Sequence, residues 1–359
     1  MAPYRPFLLA IALLFGAACS GDDGEDFQPW QLEPLEAESG FSLRIPEIMI
    51  PSGREDQTCW FVRVPDINNG QDFWVNKVHT AINPGSHHVN VFRVRTIIDL
   101  DPTKGEPVQV GDYQGTAVYG SDDYQNNPCW GSANWADWPL VANSQNSQAN
   151  SPYTEWKLPE DVAIRFTPGE MLMIQTHYVN TTVQPAPFGG KVGINFHRST
   201  VANPQELGTL FATQQSLRVC QSTPNPTFTG TCRFPGQVTI TAANGHFHSR
   251  GKKFEVYTWD GRSISNPPEE QHFYTSNEWD HPPMMTSIER TVPNGGGIWW
   301  NCEYQWTQPI FGCDSVNEKD PQGQGDCCYV FGGNTDVGEH CNLFLYYYPK
   351  VENTDVFCN

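Results

Sequence analysis

The chain is short of charge, and of positive charge above all. Charged side chains make up 17% of its 359 residues, with 21 Lys and Arg against 40 Asp and Glu, a net charge of −19. Such an acidic chain is repelled by phosphate backbones, which argues against a nucleic-acid partner. No segment sustains a helical period of 3.6, so a helical bundle is excluded. No Cys-x-x-Cys pair occurs, which weakens a zinc-ribbon reading of the cysteines. No Gly-x-Ser-x-Gly elbow supports a serine hydrolase. Neither Asp22-Asp23 nor Asp122-Asp123 belongs to a loop of regularly spaced oxygen ligands, so calcium is not indicated. Past the N-terminus, no stretch is long and apolar enough to cross a bilayer.

The N-terminus is apolar in a way that fits export. Arg5 precedes the run Phe7–Phe15, and Gly16-Ala17-Ala18-Cys19 follows. A basic start, a short apolar core and small residues make a secretory signal. Small residues directly before a cysteine resemble a bacterial lipobox, which implies cleavage after residue 18 and lipid on Cys19; the plainer alternative is an ordinary signal with an incidental cysteine. Residues 19–40 then read as an acidic linker, beginning Ser20-Gly21-Asp22-Asp23. Serine after the lipidated cysteine is similar to lipoproteins sent to the outer membrane.

Setting Cys19 aside leaves ten of the eleven cysteines, an even number that reads as a disulfide set in an exported chain. The vicinal pair Cys327-Cys328 is expected to take different partners. With 31 glycines, 29 prolines and 13% aromatics, the composition suits an all-β protein with many turns. Alternating stretches mark strands at Phe41–Ile45, Cys59–Val64, Val89–Val94, Ala163–Phe166, Met171–Ile174 and Lys191–Phe196. Further strands fall at 237–241, 253–257, 297–302 and 342–347. Val110 to Tyr153 lacks periodicity and reads as a long loop region held by Cys129. A turn-rich stretch at Val201–Pro204 divides the chain into domains of residues 41–202 and 203–359. The expected fold is two tandem antiparallel β-sandwiches, jelly-roll-like.

The residues that carry chemistry are histidines. In Gly245-His246-Phe247-His248 the two imidazoles are at i and i+2 of a strand, hence on one face, as a two-point metal clamp requires. His87-His88 opens an apolar strand, and both can reach one ion only where that strand ends, twists or bulges. His177 ends the strand from Met171. Neutral imidazoles suit copper, zinc, iron or nickel, so ligand type alone does not choose the metal. Taken singly, His88 and His177 are also compatible with purely structural roles. His79 is at most an outer-shell group, and His197, His272 and His281 have no spacing partner. The twelve tryptophans suit β-sandwich cores, with a carbohydrate platform as the weaker reading.

The order of these motifs is itself informative. His-His before an apolar strand, Gln-x-His-Tyr at Gln175, His-x-His before Gly251-Lys252, and Cys341-Asn342-Leu343 with Tyr346-Tyr347 resemble the copper type II, ascorbate-dependent monooxygenases. That family includes peptidylglycine α-hydroxylating monooxygenase and dopamine β-monooxygenase. The likeness starts with Cys59, Arg63 and Pro65 and runs over most of residues 41–359. It implies two coppers per chain, one on each domain beside a shared cleft. His87, His88 and His177 match the ligands of the electron-transfer copper, with Gln175 close by. His246 and His248 match two ligands of the copper that activates dioxygen for C–H hydroxylation of a small-molecule or peptide substrate, with ascorbate as reductant. It also implies the disulfides Cys59–Cys129, Cys302–Cys341 and Cys232–Cys358, and leaves Cys220, Cys313, Cys327 and Cys328 unassigned.

Three positions depart from the family. Its second copper takes a methionine directly before Cys-Asn-Leu, where this chain has His340. Imidazole favours Cu(II) more than a thioether does, so a site of His246, His248 and His340 has a lower expected reduction potential. Met284 and Met285 lie far upstream of that motif and read as packing residues. The arginine that holds a peptide carboxylate is replaced by Asn244, and its tyrosine partner by Phe344, although Asn342 remains as a weak substrate contact. A glycine-extended peptide therefore lacks its charge-assisted clamp. Three functions compete: a monooxygenase, a non-catalytic copper-binding or copper-delivery lipoprotein, and an adhesion module with structural metal.

Overall fold

The strand Met171–Val179 explains the architecture, because both of its faces are covered. Its even positions Leu172, Ile174 and Tyr178 enter one core, with Phe41, Val75, Val89, Val91, Ile164 and Phe196. Its odd positions Met171 and Met173 enter a second cluster, with Phe61, Phe92, Trp138 and, from the other half of the chain, Phe344. A sheet with one solvated face needs strict alternation, whereas one sandwiched on both sides reads as a nearly continuous apolar run.

The computed structural model describes residues 32–82, 86–95, 116–119, 138–144, 153–180, 188–263, 265–280, 282–310, 312–313, 316, 325–332, 335–351 and 355–359. The fold is all-β and sandwich-like. In the first half, a six-stranded sheet runs Gly40–Ile50, Phe188–Arg198, Phe73–Ile82, Val162–Phe166, Gln205–Glu206, with Tyr153–Lys157 also pairing to Phe73–Ile82. It packs on a five-stranded sheet ordered Thr116–Tyr119, Glu55–Arg63, Met171–Val179, Ser86–Val94, Leu140–Asn143. In the second half, a five-stranded sheet ordered Met285–Val292, Val238–His246, Asn342–Tyr348, Gly208–Thr213, Val356–Cys358 packs on a four-stranded one. The latter runs Thr227–Arg233, Gly297–Tyr304, Gly251–Trp259, His272–Ser276, and its core holds Ile240, Leu343, Phe254, Val256 and Trp300. A small sheet of Arg218–Cys220, Cys328–Phe331 and Gly338–Glu339 lies alongside.

The sequence-predicted strands are all present, and two expectations are corrected. The linker is shorter than residues 19–40. Leu32 is buried, Arg44 Nη2 donates to its carbonyl at 2.5 Å, and Leu35 N donates to Ser42 Oγ at 2.8 Å. The region 110–153 is not purely loop, since Thr116–Tyr119 and Leu140–Asn143 close both edges of the five-stranded sheet.

Disulfides Cys302–Cys341 and Cys232–Cys358 form as expected. Cys220–Cys328 and Cys313–Cys327 add to them, so the vicinal cysteines do take different partners. Cys59 is disulfide-bonded; its expected partner Cys129 lies outside the described residues, as does Cys19. Such bridges belong to an oxidising compartment. Among the described residues, no helix is long and apolar enough to cross a membrane.

Candidate metal centre

The five-stranded sheet of the first half faces that of the second, and strand register sorts the facing side chains into rows. One row pairs Gln57 with His177 and His177 with His88. The next joins Cys59, Gln175, Asn90 and Asn143. A third joins Phe61, Met173 and Phe92, which belong to the apolar cluster at the seam. The seam thus grades from histidine through amide to apolar across three rows. From the opposite sheet, a register shift between Ile240 and Ala242 turns Ala242 toward the first half's core, and His246 on the same strand meets His88.

Five histidines gather at the polar end of this seam. His246, His248 and His340 are all buried, and one ring nitrogen from each lies within 4.8 Å of the others. Nitrogens bound to one ion at about 2 Å lie at most about 4 Å apart, so a shift of under about one ångström brings the trio onto a common ion. The His248 and His340 ring centroids are 4.3 Å apart, and His246 lies 5.3 Å from each. From the first half, His88 lies 4.9 Å from His177 and 5.4 Å from His246. The sequence leads one to expect two clusters, one per sandwich. Among the described residues the trio comes from the second half and His88 with His177 from the first, and the two sets approach each other at His88 and His246 across the seam. The side chain of His87 lies outside the described residues.

Hydrogen bonds fix the tautomers. His248 Nδ1–H donates to the Gly338 carbonyl at 3.1 Å, which leaves Nε2 as the nitrogen able to bind an ion. Gln175 Oε1 accepts from His88 Nε2 at 3.3 Å and from Asn90 Nδ2 at 3.2 Å. Gln175 thus bridges His88 and Asn90. His177 Nε2–H donates to Glu55 Oε1 at 2.5 Å. For His88 the bond to Gln175 leaves Nδ1 as the acceptor nitrogen. Burial pushes the His340 imidazole down to about 3, with the nearby His177 adding to the effect. Burial likewise holds His88 well below the usual histidine range. Neutral imidazole is the metal-binding form, so the donor set fits a borderline transition metal such as copper.

Sequence reading did not find the residues that hold the trio. Glu339 is fully buried, and its carboxylate accepts from His248 N at 2.9 Å and Arg250 N at 3.0 Å. Arg250 Nε pairs with Glu339 Oε1 at 2.7 Å, and Arg250 Nη2 donates to the Gly338 and Thr335 carbonyls at 2.5 and 2.7 Å. Burial pushes the Glu339 carboxyl up, against the pull of Arg250 and the two backbone donors. This pair clamps the turn after His248 to the segment ending in His340, and Cys302–Cys341 secures the next residue. Glu55 was missed as well. It accepts from Thr335 N and Oγ1 at 3.3 and 3.1 Å, joining the halves above His177. Burial pushes its carboxyl up, but His177 and Thr335 outweigh this and hold it below the ordinary range.

The positions matched to the family's substrate clamp are interior. Asn244 is buried, and its Nδ2 donates to the Pro282 and Pro283 carbonyls, each at 3.2 Å. Asn342 accepts from Thr213 Oγ1 at 2.7 Å, and Phe344 packs in the seam.

No family model matches the chain, and no curated protein matches it. Among solved structures, the chain is similar to the major capsid protein P2 from bacteriophage PM2, at 8% identity and a TM-score of 0.30, over 87% of this chain and 98% of that one. It is also similar to a triple jelly-roll protein of an archaeal virus, at 9% identity and a TM-score of 0.20, over 86% and 59% of the two chains. The exported protein XepA of PBSX scores 0.20 at 8% identity, over 76% and 89%. Likenesses this low bear on neither function nor partners.

Proposed function

We propose that the chain is a copper-dependent monooxygenase that hydroxylates an organic substrate with dioxygen and a one-electron reductant such as ascorbate. The observation that carries this reading is the buried trio His246, His248 and His340, whose ring nitrogens lie within 4.8 Å of one another. Copper bound there would supply one-electron chemistry and the activation of dioxygen. The protein's part is to present neutral imidazoles: His248 through Nε2, and His340 held beside it by the Glu339–Arg250 pair. His88 and His177, with His87, would hold the second ion, and Gln175 orients His88. The motif order supports the family assignment, and the lipobox-like N-terminus supports export and anchoring at the outer membrane through Cys19.

Copper analysis after reconstitution tests the reading. The expected result is two equivalents per chain with reductant-dependent oxygen uptake that a substrate accelerates; fewer than one equivalent would refute it. The burial of all five clustered histidines, none more than 5% exposed, favours a second reading as a copper-binding or copper-delivery lipoprotein. That reading expects tight copper binding with no oxygen uptake beyond that of free copper. Recovery of hydroxylation in His340→Met would instead mark a degenerate enzyme.

A further inference from the structure

A cavity of about 560 Å³ lies between the halves, lined by no histidine but by residues that hold the histidines in place. Its walls include Glu55, which binds His177, and Arg250 and Thr335, which belong to the framework around His248. A pocket of this volume takes a molecule of one or two rings. Its apolar wall is formed by Trp279, Tyr329, Val337 and Ile310, the last of which is 82% exposed. Tyr329 backs this wall and is itself 1% exposed, with the Arg250 guanidinium 3.9 Å from its ring centre and its hydroxyl donating to the Thr307 carbonyl at 2.9 Å. The charged side chains of the wall, Arg54 and Arg250 against Glu55 and Asp336, cancel in sign. Arg250 is already committed to Glu339. With a net charge of −19 on the whole chain, nothing here favours an anion.

We propose that this cavity binds an uncharged aromatic molecule, and that this molecule is the organic substrate. The entrance is thus on the Glu55–Arg250 side of the seam, away from Asn244 and Phe344, which are interior. Calling the ligand a substrate rests on the oxygenase reading, whereas its binding does not. Calorimetric titration of the full chain, with and without copper, separates the two.

The probes are 2-naphthol and its anionic counterpart 2-naphthoate. The expected result is 2-naphthol binding with or without copper, and 2-naphthoate at least about tenfold weaker. Trp279→Ala and Ile310→Asp should each weaken 2-naphthol by about tenfold, as loss of an apolar anchor does; Ile310 is exposed, so its replacement leaves folding intact. Equal binding of 2-naphthol to both variants, or tighter binding of 2-naphthoate, overturns the pocket assignment while copper uptake stands. Intact 2-naphthol binding in a chain that takes up no copper overturns the substrate role together with the oxygenase reading.

Discussion

At the scale of single residues, the buried Glu339–Arg250 pair has the largest consequences. An ion pair with no solvent is stable only when its spare donors and acceptors are met. Here they are met by His248 N, Arg250 N and two carbonyls. Glu339→Gln leaves Arg250 buried without its counter-charge, and should cost about 3 kcal/mol of stability. Because the same pair positions His248 and His340, copper affinity should fall by roughly 10–100-fold, as with other groups that orient ligands. Thermal melting and a copper titration on one preparation check both effects. A change in stability alone would make Glu339 a packing residue.

At the scale of elements, alternation was what could be read. Glu55–Arg63 and Asn342–Tyr348 are strands whose apolar phase survives in the sequence, as do the histidines they position or face. Phe73–Ile82 was missed because its buried phase slips at Lys77, opposite a register irregularity at His197 and Arg198. Thr227–Arg233 was missed because it is an edge strand exposed at alternate positions. Its Gly230 serves a close approach, since a Cβ there would lie 2.2 Å from the Trp300 ring. The histidine trio was legible through the His-x-His spacing of His246 and His248 and through the Cys341-Asn342-Leu343 motif directly after His340. Glu55 and Glu339 were not, since nothing in a linear sequence says which carboxylate will be buried. Elements also carry a stability prediction. Cys302–Cys341 closes a separation of 39 residues and fastens the strand that follows His340. Replacing both cysteines by alanine should cost about 3–4 kcal/mol by loop-closure entropy, measured by denaturant unfolding under oxidising conditions.

At the scale of the whole molecule, the two halves are joined by side chains as well as by chain continuity. Trp156 packs on Tyr346 at 4.5 Å between centroids, and Arg95 of the first half pairs with Asp355 of the second at 2.7 Å. Asp355 also binds Lys350 at 2.9 Å and accepts from Thr209 N at 3.0 Å. Burial pushes its carboxyl up, but Lys350, Thr209 and Arg95 outweigh this and hold it below the ordinary value of 3.8. A depressed carboxyl stabilises the fold above its unfolded value and loses that contribution as pH falls through the folded one. Asp355→Asn should therefore lower stability at neutral pH by about 2–3 kcal/mol. It should also flatten the decline below pH 3.8. Melting temperatures of both proteins across that range provide the check.

The grading of the seam from imidazole to hydrocarbon has a mechanical meaning. Rows of Phe, Met and Trp resist parting because each would expose oily surface, whereas wetted histidines and amides recover partners from water. Breathing between the halves should start at the imidazole edge, with the Phe61–Phe344 side acting as the spine. Hydrogen exchange of backbone amides should then be faster at Thr176–His177 than at Leu172–Met173, two stretches of one strand that are equally hidden from solvent. An intermittent opening of that kind would give small molecules a path to nitrogens that are closed off at rest.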